Sequence, residues 1–147
     1  MNNNNVTDKF ELVELANKLF MYCDNRDWQR LLDEVFVTEI FFDMTSAGGG
    51  EAALLPATEV CNLWRLGFTG IDAIHHQAGH YLVTVEGDQA TIFGYAIAQH
   101  FKRAAVKGHT RSFVGSYDLK AERTKKGWRL SQFKYNLKFM DGNVAMD

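Results

Sequence analysis

The chain has 147 residues, 46% of them hydrophobic and 23% charged, which is enough to build one domain around its own core. Its formal net charge of −2 comes without a basic block or stripe, which argues against binding to nucleic acid. No apolar run approaches the roughly 20 residues of a membrane-spanning helix, and the N-terminal sequence lacks the apolar segment of a signal peptide. We therefore expect a cytoplasmic protein without membrane contact, whose two cysteines stay reduced.

A long helix and a short helix are predicted near the N-terminus. Residues 1–6, which include four consecutive asparagines, are predicted to form a disordered tail. Apolar residues at helical spacing predict an amphipathic helix over about residues 7 to 23, with Thr7 as its N-cap. Asp27 follows a break and is predicted to cap a second helix with the sequence WQRLLDEVF.

A strand, a loop and a third helix are predicted next. The stretch VFVTEIFFDM is rich in β-branched and aromatic residues, which is typical of a strand. The stretch SAGGGEAALLP contains three consecutive glycines and predicts a loop. Pro56 suits the first turn of a helix with the sequence ATEVCNLWRLGF, which Gly67 or Gly70 ends.

The second half of the chain is predicted to be an antiparallel meander. The strand patterns are HHQAGHYLVTV, QATIFGYAIAQHFKR, HTRSFVGSYDLKAER and GWRLSQFKYNLKFM, separated by turns that contain glycine and charge. Helices at the start and strands at the end predict an α+β fold of about five strands, in which a curved sheet wraps around the helices and leaves a cone-shaped space. We assign residues 7–140 to this single domain and residues 141–147 to a C-terminal tail.

Three of the five histidines lie close together in AIHHQAGHYLV: His75, His76 and His80. If this stretch is a strand, His76 and His80 share a face but stand roughly 13 Å apart, and His75 points to the opposite face. This arrangement argues against a metal site built from the three rings. A general base is the alternative, since imidazole titrates near neutral pH, and a base needs a carboxylate or similar group to orient it.

Asp24 is the candidate for that carboxylate. It ends the first predicted helix next to the apolar stripe, where the helix dipole disfavours a negative charge. Such a placement is understandable if a cationic or hydrogen-bonding group meets the carboxylate. The residues alone favour the other interpretation, in which Asp24 is a solvated turn residue that ends the helix, and both interpretations stay open.

Several short motifs resemble those of the SnoaL-like proteins, which belong to the nuclear transport factor 2-like superfamily. The resemblance spans about residues 8 to 137, and it rests on the order of five motifs: YCDNRDW at 22–28, IHH at 74–76, GY at 94–95, KGH at 107–109 and KGWR at 126–129. Scytalone dehydratase, steroid isomerase, limonene epoxide hydrolase and polyketide cyclases belong to this superfamily. The resemblance implies a cystatin-like, cone-shaped α+β barrel, usually a homodimer, with a deep apolar pocket.

The resemblance also implies a catalytic pair. The aspartate of the first-helix motif and a histidine at the start of the first meander strand face each other in the dehydratases, and they correspond to Asp24 and His76. A second histidine comes from the next strand. The direct alignment places Lys102 at that position, whereas a slip of two residues brings in His100.

Residues at the pocket positions of the family are implied to bind the substrate. Two tyrosines that hold a reactive water in scytalone dehydratase are replaced by Cys23 and Met44, and an asparagine is replaced by Val114, which leaves a more apolar cavity. Tyr22 is a candidate to supply a lost hydroxyl. The residues implied to contact the substrate are Tyr22, Met44, Ala98, Ser112, Val114, Phe133 and Tyr135.

Three classes of function remain open. The first is a lyase or isomerase that needs no metal and no organic cofactor and uses Asp24, His76 and His100 for proton transfer on an apolar ring or polyketide-like substrate. The second is a non-catalytic protein that binds a small apolar ligand in the same pocket. The third is a structural assembly subunit of this fold, for which we expect a filled cavity and a large apolar outer patch.

Overall fold

The computed structural model describes residues 3–147 and contains, over this range, three α-helices and six strands. Two helices precede the first strand, and the third lies between the second and third strands. The helices are α1 (Asn3–Asp24), α2 (Trp28–Arg30) and α3 (Ala57–Gly67). The strands are β1 (Phe36–Asp43), β2 (Ala53–Pro56), β3 (Ala73–Glu86), β4 (Gln89–Phe101), β5 (Thr110–Thr124) and β6 (Gly127–Gly142). None of the described helices has the length and apolar character needed to cross a bilayer.

Helix α1 begins at Asn3, several residues before the predicted start. The predicted tail therefore needs correction at residues 3–6, which are helical, while residues 1 and 2 lie outside the described range. The reason lies in Asp8, whose buried carboxylate accepts two hydrogen bonds from Arg123 (2.9 Å each) and one from Trp128 Nε1 (3.0 Å). These bonds hold the first turns of α1 against the end of the sheet and lower the pKa of Asp8.

The second helix is shorter than predicted and changes its winding. Asp27 caps α2 as expected, because its side chain accepts a hydrogen bond from the backbone N–H of Arg30 (3.3 Å). The chain then continues as a π-helical turn, Leu31–Val35, in which Leu31 and Val35 are fully buried. The wider turn directs both side chains into the core before β1 begins.

The predicted loop after β1 contains a sixth strand. Strand β2 pairs antiparallel with β1, where Leu54 lies opposite Phe41, so the sheet has six strands instead of about five. The sequence pattern misses β2 because four residues are too few to show an alternation. Pro56 ends β2 and takes the N-cap position of α3, one residue before the predicted first turn.

The four strands β3 to β6 form the predicted antiparallel meander, and the strand order of the whole sheet is β2-β1-β6-β5-β4-β3. Strand β1 pairs parallel with β6 and so joins the first half of the chain to the meander. The sheet curves around α1, and the core between them contains fully buried Leu12, Leu19, Ile92 and Leu119. This architecture confirms the predicted α+β fold with N-terminal helices and a curved sheet.

The last residues of the chain pack against the end of the meander. Met146 is 3% exposed and contacts Ile71 and Ile74, and the backbone N–H groups of Val106 and Lys107 donate to the carbonyl of Asp147. The residues assigned to a C-terminal tail therefore complete β6 and then cover a small second apolar cluster.

Candidate active site

The concave side of the sheet encloses a cavity of about 120 Å³ between α1, α3 and the strands. Almost all of its surface is apolar, and the polar side chains that reach it are few. Its lining residues are Leu19, Phe20, Cys23, Met44, Trp64, Phe68, His76, Ala98, His100, Phe113, Tyr117, Phe133 and Tyr135. An apolar cavity with a few convergent polar groups is the usual form of a small-molecule site.

Asp24 and His76 meet at the edge of this cavity. Nδ1 of His76 lies 2.5 Å from Oδ1 of Asp24, and the backbone N–H of His76 donates to Oδ2 (2.9 Å). Both side chains are largely buried, with 14% of Asp24 and 9% of His76 exposed. The helix dipole disfavours a carboxylate at a helix C-terminus, and these two donors offset that cost for Asp24.

The contact with Asp24 selects one tautomer of His76. An ionised carboxylate only accepts hydrogen bonds, so Nδ1 of the ring carries the proton and Nε2 carries the lone pair. The Phe20 ring packs against the imidazole, with 5.2 Å between the ring centroids. The result is an oriented imidazole with its basic nitrogen on the side away from Asp24, which is the geometry of a general base.

The alternation of side chains along β3 decides which histidine enters the site. Ile74 and His76 face inward, whereas His75 faces outward and is 69% exposed, although its Nδ1 is 4.0 Å from Oδ2 of Asp24. His80 lies at a β-bulge between Gly79 and Leu82 and has a positive φ of 54°. Within residues 3–147 we find no group of three or more His, Cys, Asp or Glu side chains placed to hold a metal ion.

His100 enters the cavity from β4 and is 7% exposed. Arg111 on the neighbouring strand donates from Nε to Nδ1 of His100 (3.0 Å), so the proton of the neutral ring is on Nε2. Burial, supported by the positive charge of Arg111 and by His76, lowers the pKa of His100 to about 4. His100 is therefore neutral at pH 7 and can act as a hydrogen-bond donor through Nε2–H.

The alternative to His100 at this position, Lys102, lies outside the cavity. Strand β4 ends at Phe101, and the Lys102 ammonium donates to the carbonyl of Met146 (2.7 Å) in the C-terminal segment. Of the two candidates for this position, His100 lines the cavity and Lys102 does not.

Four of the residues expected to contact substrate line the cavity: Met44, Ala98, Phe133 and Tyr135. The other three need correction. Ser112 and Val114 alternate with inward-facing Phe113 and so point to the outer face of β5, because a displacement of one residue along a strand moves a side chain to the other face.

Tyr22 is the third correction. Its hydroxyl donates to Oε2 of Glu34 (2.8 Å), and it lies one position before Cys23, which does line the cavity. One helix position turns a side chain by about 100°, so Tyr22 points away from the cavity.

Seven lining residues were outside the predicted set: Leu19, Phe20, Cys23, Trp64, Phe68, Phe113 and Tyr117. The positions of two of these residues, Cys23 and Tyr117, are related to features of the sequence or of the strand register. Cys23 belongs to the apolar stripe of α1, and Tyr117 lies directly opposite Tyr135 in the register of β5 and β6. The identification of Tyr117 needs that register, which single-strand patterns do not contain.

A cone-shaped sheet that closes over an N-terminal helix and surrounds a small apolar cavity defines a protein of the nuclear transport factor 2-like type with a cystatin-like fold. Within this type the chain belongs to the family of the SnoaL-like domain, whose pattern matches residues 4–134. This assignment confirms the resemblance seen in the short motifs.

Solved structures share the fold over nearly the whole chain. The Kfla4162 protein from Kribbella flavida is 29% identical, with a TM-score of 0.90 over 97% of both chains. An NTF2-like protein with a cystatin-like fold from Novosphingobium aromaticivorans is 24% identical, with a TM-score of 0.74 over 97% of this chain and 88% of that one. The hexachlorocyclohexane dehydrochlorinase LinA-type3 from Novosphingobium barchaimii is 12% identical, with a TM-score of 0.79 over 98% of this chain and 95% of that one. No curated protein matches the sequence.

Proposed function

We propose that this protein is a cofactor-independent lyase or isomerase that moves a proton on a small apolar substrate bearing a carbonyl group. The observation that carries the proposal is the contact between Asp24 and His76 at the wall of an apolar cavity. It supplies an oriented base, and the cavity supplies a site with little room for water.

In the first step, Nε2 of His76 takes a proton from the carbon next to the substrate carbonyl. The electron pair of the broken C–H bond moves toward the carbonyl oxygen and forms an enolate. Asp24 stabilises the imidazolium that results, and Nε2–H of His100 donates a hydrogen bond to the enolate oxygen. A neutral imidazole suits this role, because it donates a hydrogen bond without giving up its proton.

The second step restores the base. In an isomerisation, the substrate carries a carbon–carbon double bond next to the deprotonated carbon, so the enolate extends over that bond. His76 then returns the proton to the far carbon of the double bond as the electrons move back and re-form the carbonyl. In a dehydration, the enolate electrons expel a hydroxyl group from the β-carbon, and this hydroxyl takes the proton from His76 and leaves as water. Both routes end with His76 neutral and Asp24 ionised, so the protein groups alone balance the reaction.

One structural neighbour is named for a reaction of this kind. The protein from Novosphingobium barchaimii is by its name a dehydrochlorinase, an enzyme of elimination, and it has the same fold. The likeness at 12% identity concerns the fold alone, so the argument for the chemistry of this chain rests on its own Asp24 and His76.

Proton abstraction can be tested without knowing the natural substrate. Wild-type protein in D₂O should introduce deuterium next to the carbonyl of single-ring β-hydroxyketones and enones, measured by proton NMR. Asp24→Asn and His76→Ala should slow the exchange by at least about 100-fold, since general-base catalysis contributes roughly that much or more. His109→Ala is the matched control, because it removes an exposed imidazole from the turn before β5, outside the cavity lining, and should keep the wild-type rate.

Thermal melts followed by circular dichroism should show that all three variants unfold cooperatively. Equal exchange rates in wild type and His76→Ala would overturn the proposal, and so would the lack of exchange by wild type across the whole set of carbonyl compounds.

A non-catalytic ligand carrier is the second candidate. The apolar character of the cavity at Cys23 and Met44, where scytalone dehydratase has tyrosines, favours it. A carrier would bind the same compounds and would show no difference in deuterium exchange between wild type and His76→Ala. The third class, an assembly subunit, is disfavoured because its cavity should be filled.

We also propose that the outer face of the sheet forms a homodimer. The strand register places Ile97, Val114 and Phe139 in one row across β4, β5 and β6 on the convex side. Ile97 and Phe139 are exposed, and the neighbouring Tyr95 and Leu82 extend the apolar surface. An exposed apolar patch of this kind on a small domain is typical of a protein interface.

A further inference from the structure

The hydroxyl group of Tyr135 is buried in the wall of the cavity that His76 also lines, and it has no use in the mechanism above. Tyr135 is 4% exposed and lines the cavity, and its Oη is the one deeply buried side-chain N or O atom of residues 5–147 found without a hydrogen-bond partner. An unsatisfied buried hydroxyl costs stability, so its presence in a largely apolar wall points to a partner that binds there.

Packing holds this hydroxyl in place. A Cβ atom at Gly115 would lie 2.7 Å from Oη of Tyr135 and 2.8 Å from its Cε2, so the phenol ring rests directly on the backbone of β5 at a residue without a side chain. The ring of Tyr117 packs against the other side, with 4.9 Å between centroids. The phenol therefore has little freedom to turn away and find another acceptor.

The volume of the cavity limits the size of the partner. At about 120 Å³ it is slightly smaller than a dry protein cavity of about 150 Å³ that holds one benzene molecule. One six-membered ring with a small substituent fills a space of this size, whereas a fused ring system exceeds it and would extend through the open side of the cavity.

We propose that the ligand is a single-ring molecule with one carbonyl or phenolic oxygen, and that the Tyr135 hydroxyl anchors it by donating a hydrogen bond to that oxygen. This inference rests on the proposed function and names its substrate class. Besides Nε2–H of His100, the hydroxyl of Tyr135 is a second donor in a cavity wall that is largely apolar. Burial also raises the pKa of Tyr135 to about 12, so the hydroxyl keeps its proton at neutral pH.

A pair of isosteric probes tests the anchor without catalysis. Cyclohexanone and methylenecyclohexane have nearly the same shape, and only the first carries an oxygen. Neither compound can undergo the proposed dehydration or isomerisation, because neither has a β-hydroxyl group or a carbon–carbon double bond next to a ketone. Titration calorimetry or ligand-observed NMR should show that wild type binds cyclohexanone at least about ten-fold more tightly, which corresponds to about 1.4 kcal/mol. The fused ketone 2-decalone should bind at least ten-fold more weakly than cyclohexanone.

Tyr135→Phe removes the hydroxyl and should reduce the preference for cyclohexanone at least five-fold. Without ligand, this variant should melt at a higher temperature than wild type, because it no longer buries an unpaired hydroxyl. Tyr22→Phe is the matched control: its hydroxyl is bonded to Glu34 outside the cavity, so it should keep the wild-type preference and should not melt higher.

Equal affinity of wild type for cyclohexanone and methylenecyclohexane would overturn the inference, and this comparison does not depend on the folding of any variant. An unchanged preference in Tyr135→Phe would overturn the role of the hydroxyl, and tight binding of 2-decalone would overturn the size limit. Each of these results is independent of the exchange assay. A preference for cyclohexanone without deuterium exchange would overturn the proposed activity and leave the role of Tyr135 standing. Deuterium exchange without a preference for cyclohexanone would overturn only the role of Tyr135.

Discussion

Replacing His100 with Gln should remove a pH-dependent penalty from the stability of this protein. In the folded state the ring is buried, Arg111 donates to its Nδ1, and its pKa is lowered from 6.5 to about 4. In the unfolded chain the ring titrates near its ordinary value of about 6.5. Between these two pKa values the unfolded state binds more protons than the folded state, so stability falls as pH falls through this window.

The magnitude follows from the two pKa values. At pH 8 the ring is neutral in both states and contributes nothing to the pH dependence. At pH 5 the unfolded ring is almost fully protonated while the folded ring of His100 is mostly neutral, and the resulting loss is about 2 kcal/mol. Gln has no titratable group and still offers an acceptor to Arg111, so the substitution removes this loss while keeping the hydrogen bond.

Urea denaturation at pH 8 and pH 5 measures the effect. Between these two conditions His100→Gln should lose about 2 kcal/mol less stability than wild type. His109→Gln, which replaces an exposed histidine in the turn before β5, should follow wild type and controls for the removal of an imidazole as such. If His100→Gln and wild type lose the same stability between pH 8 and pH 5, His100 is not a buried neutral ring. The proposal that it donates a hydrogen bond to the enolate oxygen as a neutral ring would then be wrong.

Two further predictions concern the anchoring of α1 and the outer face. Asp8→Asn should lower the free energy of unfolding in urea, because it removes the charged acceptor that joins Arg123 and Trp128 to α1. Asp88→Asn removes an exposed partner of the same arginine and should leave the free energy of unfolding unchanged. Equal losses in the two variants would contradict the anchoring role of Asp8. Ile97→Glu should convert a dimer to a monomer in sedimentation velocity without changing the circular dichroism spectrum. Thr91→Glu, on the same strand but away from the apolar row, should remain a dimer. A wild-type protein that sediments as a monomer would contradict the proposed interface.

The fold could be predicted to a large extent because its signals are local. The apolar stripe of α1 and the long alternating strands β3 to β6 each repeat a period over more than ten residues, and turns with glycine separate the strands. Strand β2 escaped prediction because it has four residues and exists through its pairing with β1. The helical start at Asn3 likewise depends on contacts of Asp8 with Arg123 and Trp128, far along the chain.

The candidate site was predicted only in part. The family resemblance pointed to Asp24 and His76, which are 52 positions apart, and the structure brings them to 2.5 Å. Their catalytic role stays a prediction until turnover is measured. The same resemblance misplaced Ser112 and Val114, because an alignment does not record which face of β5 a residue occupies.

The sequence by itself determined the order of the three helices and the five longer strands, since helical and strand periods arise from neighbouring residues. The chemical state of the site was decided by the tertiary structure. The neutral ring of His100, the proton on Nδ1 of His76 and the unpaired hydroxyl of Tyr135 depend on burial and on partners from other elements. Desolvation and hydrogen bonding act through space over a few ångströms, so these properties exist only once the sheet has closed around the cavity.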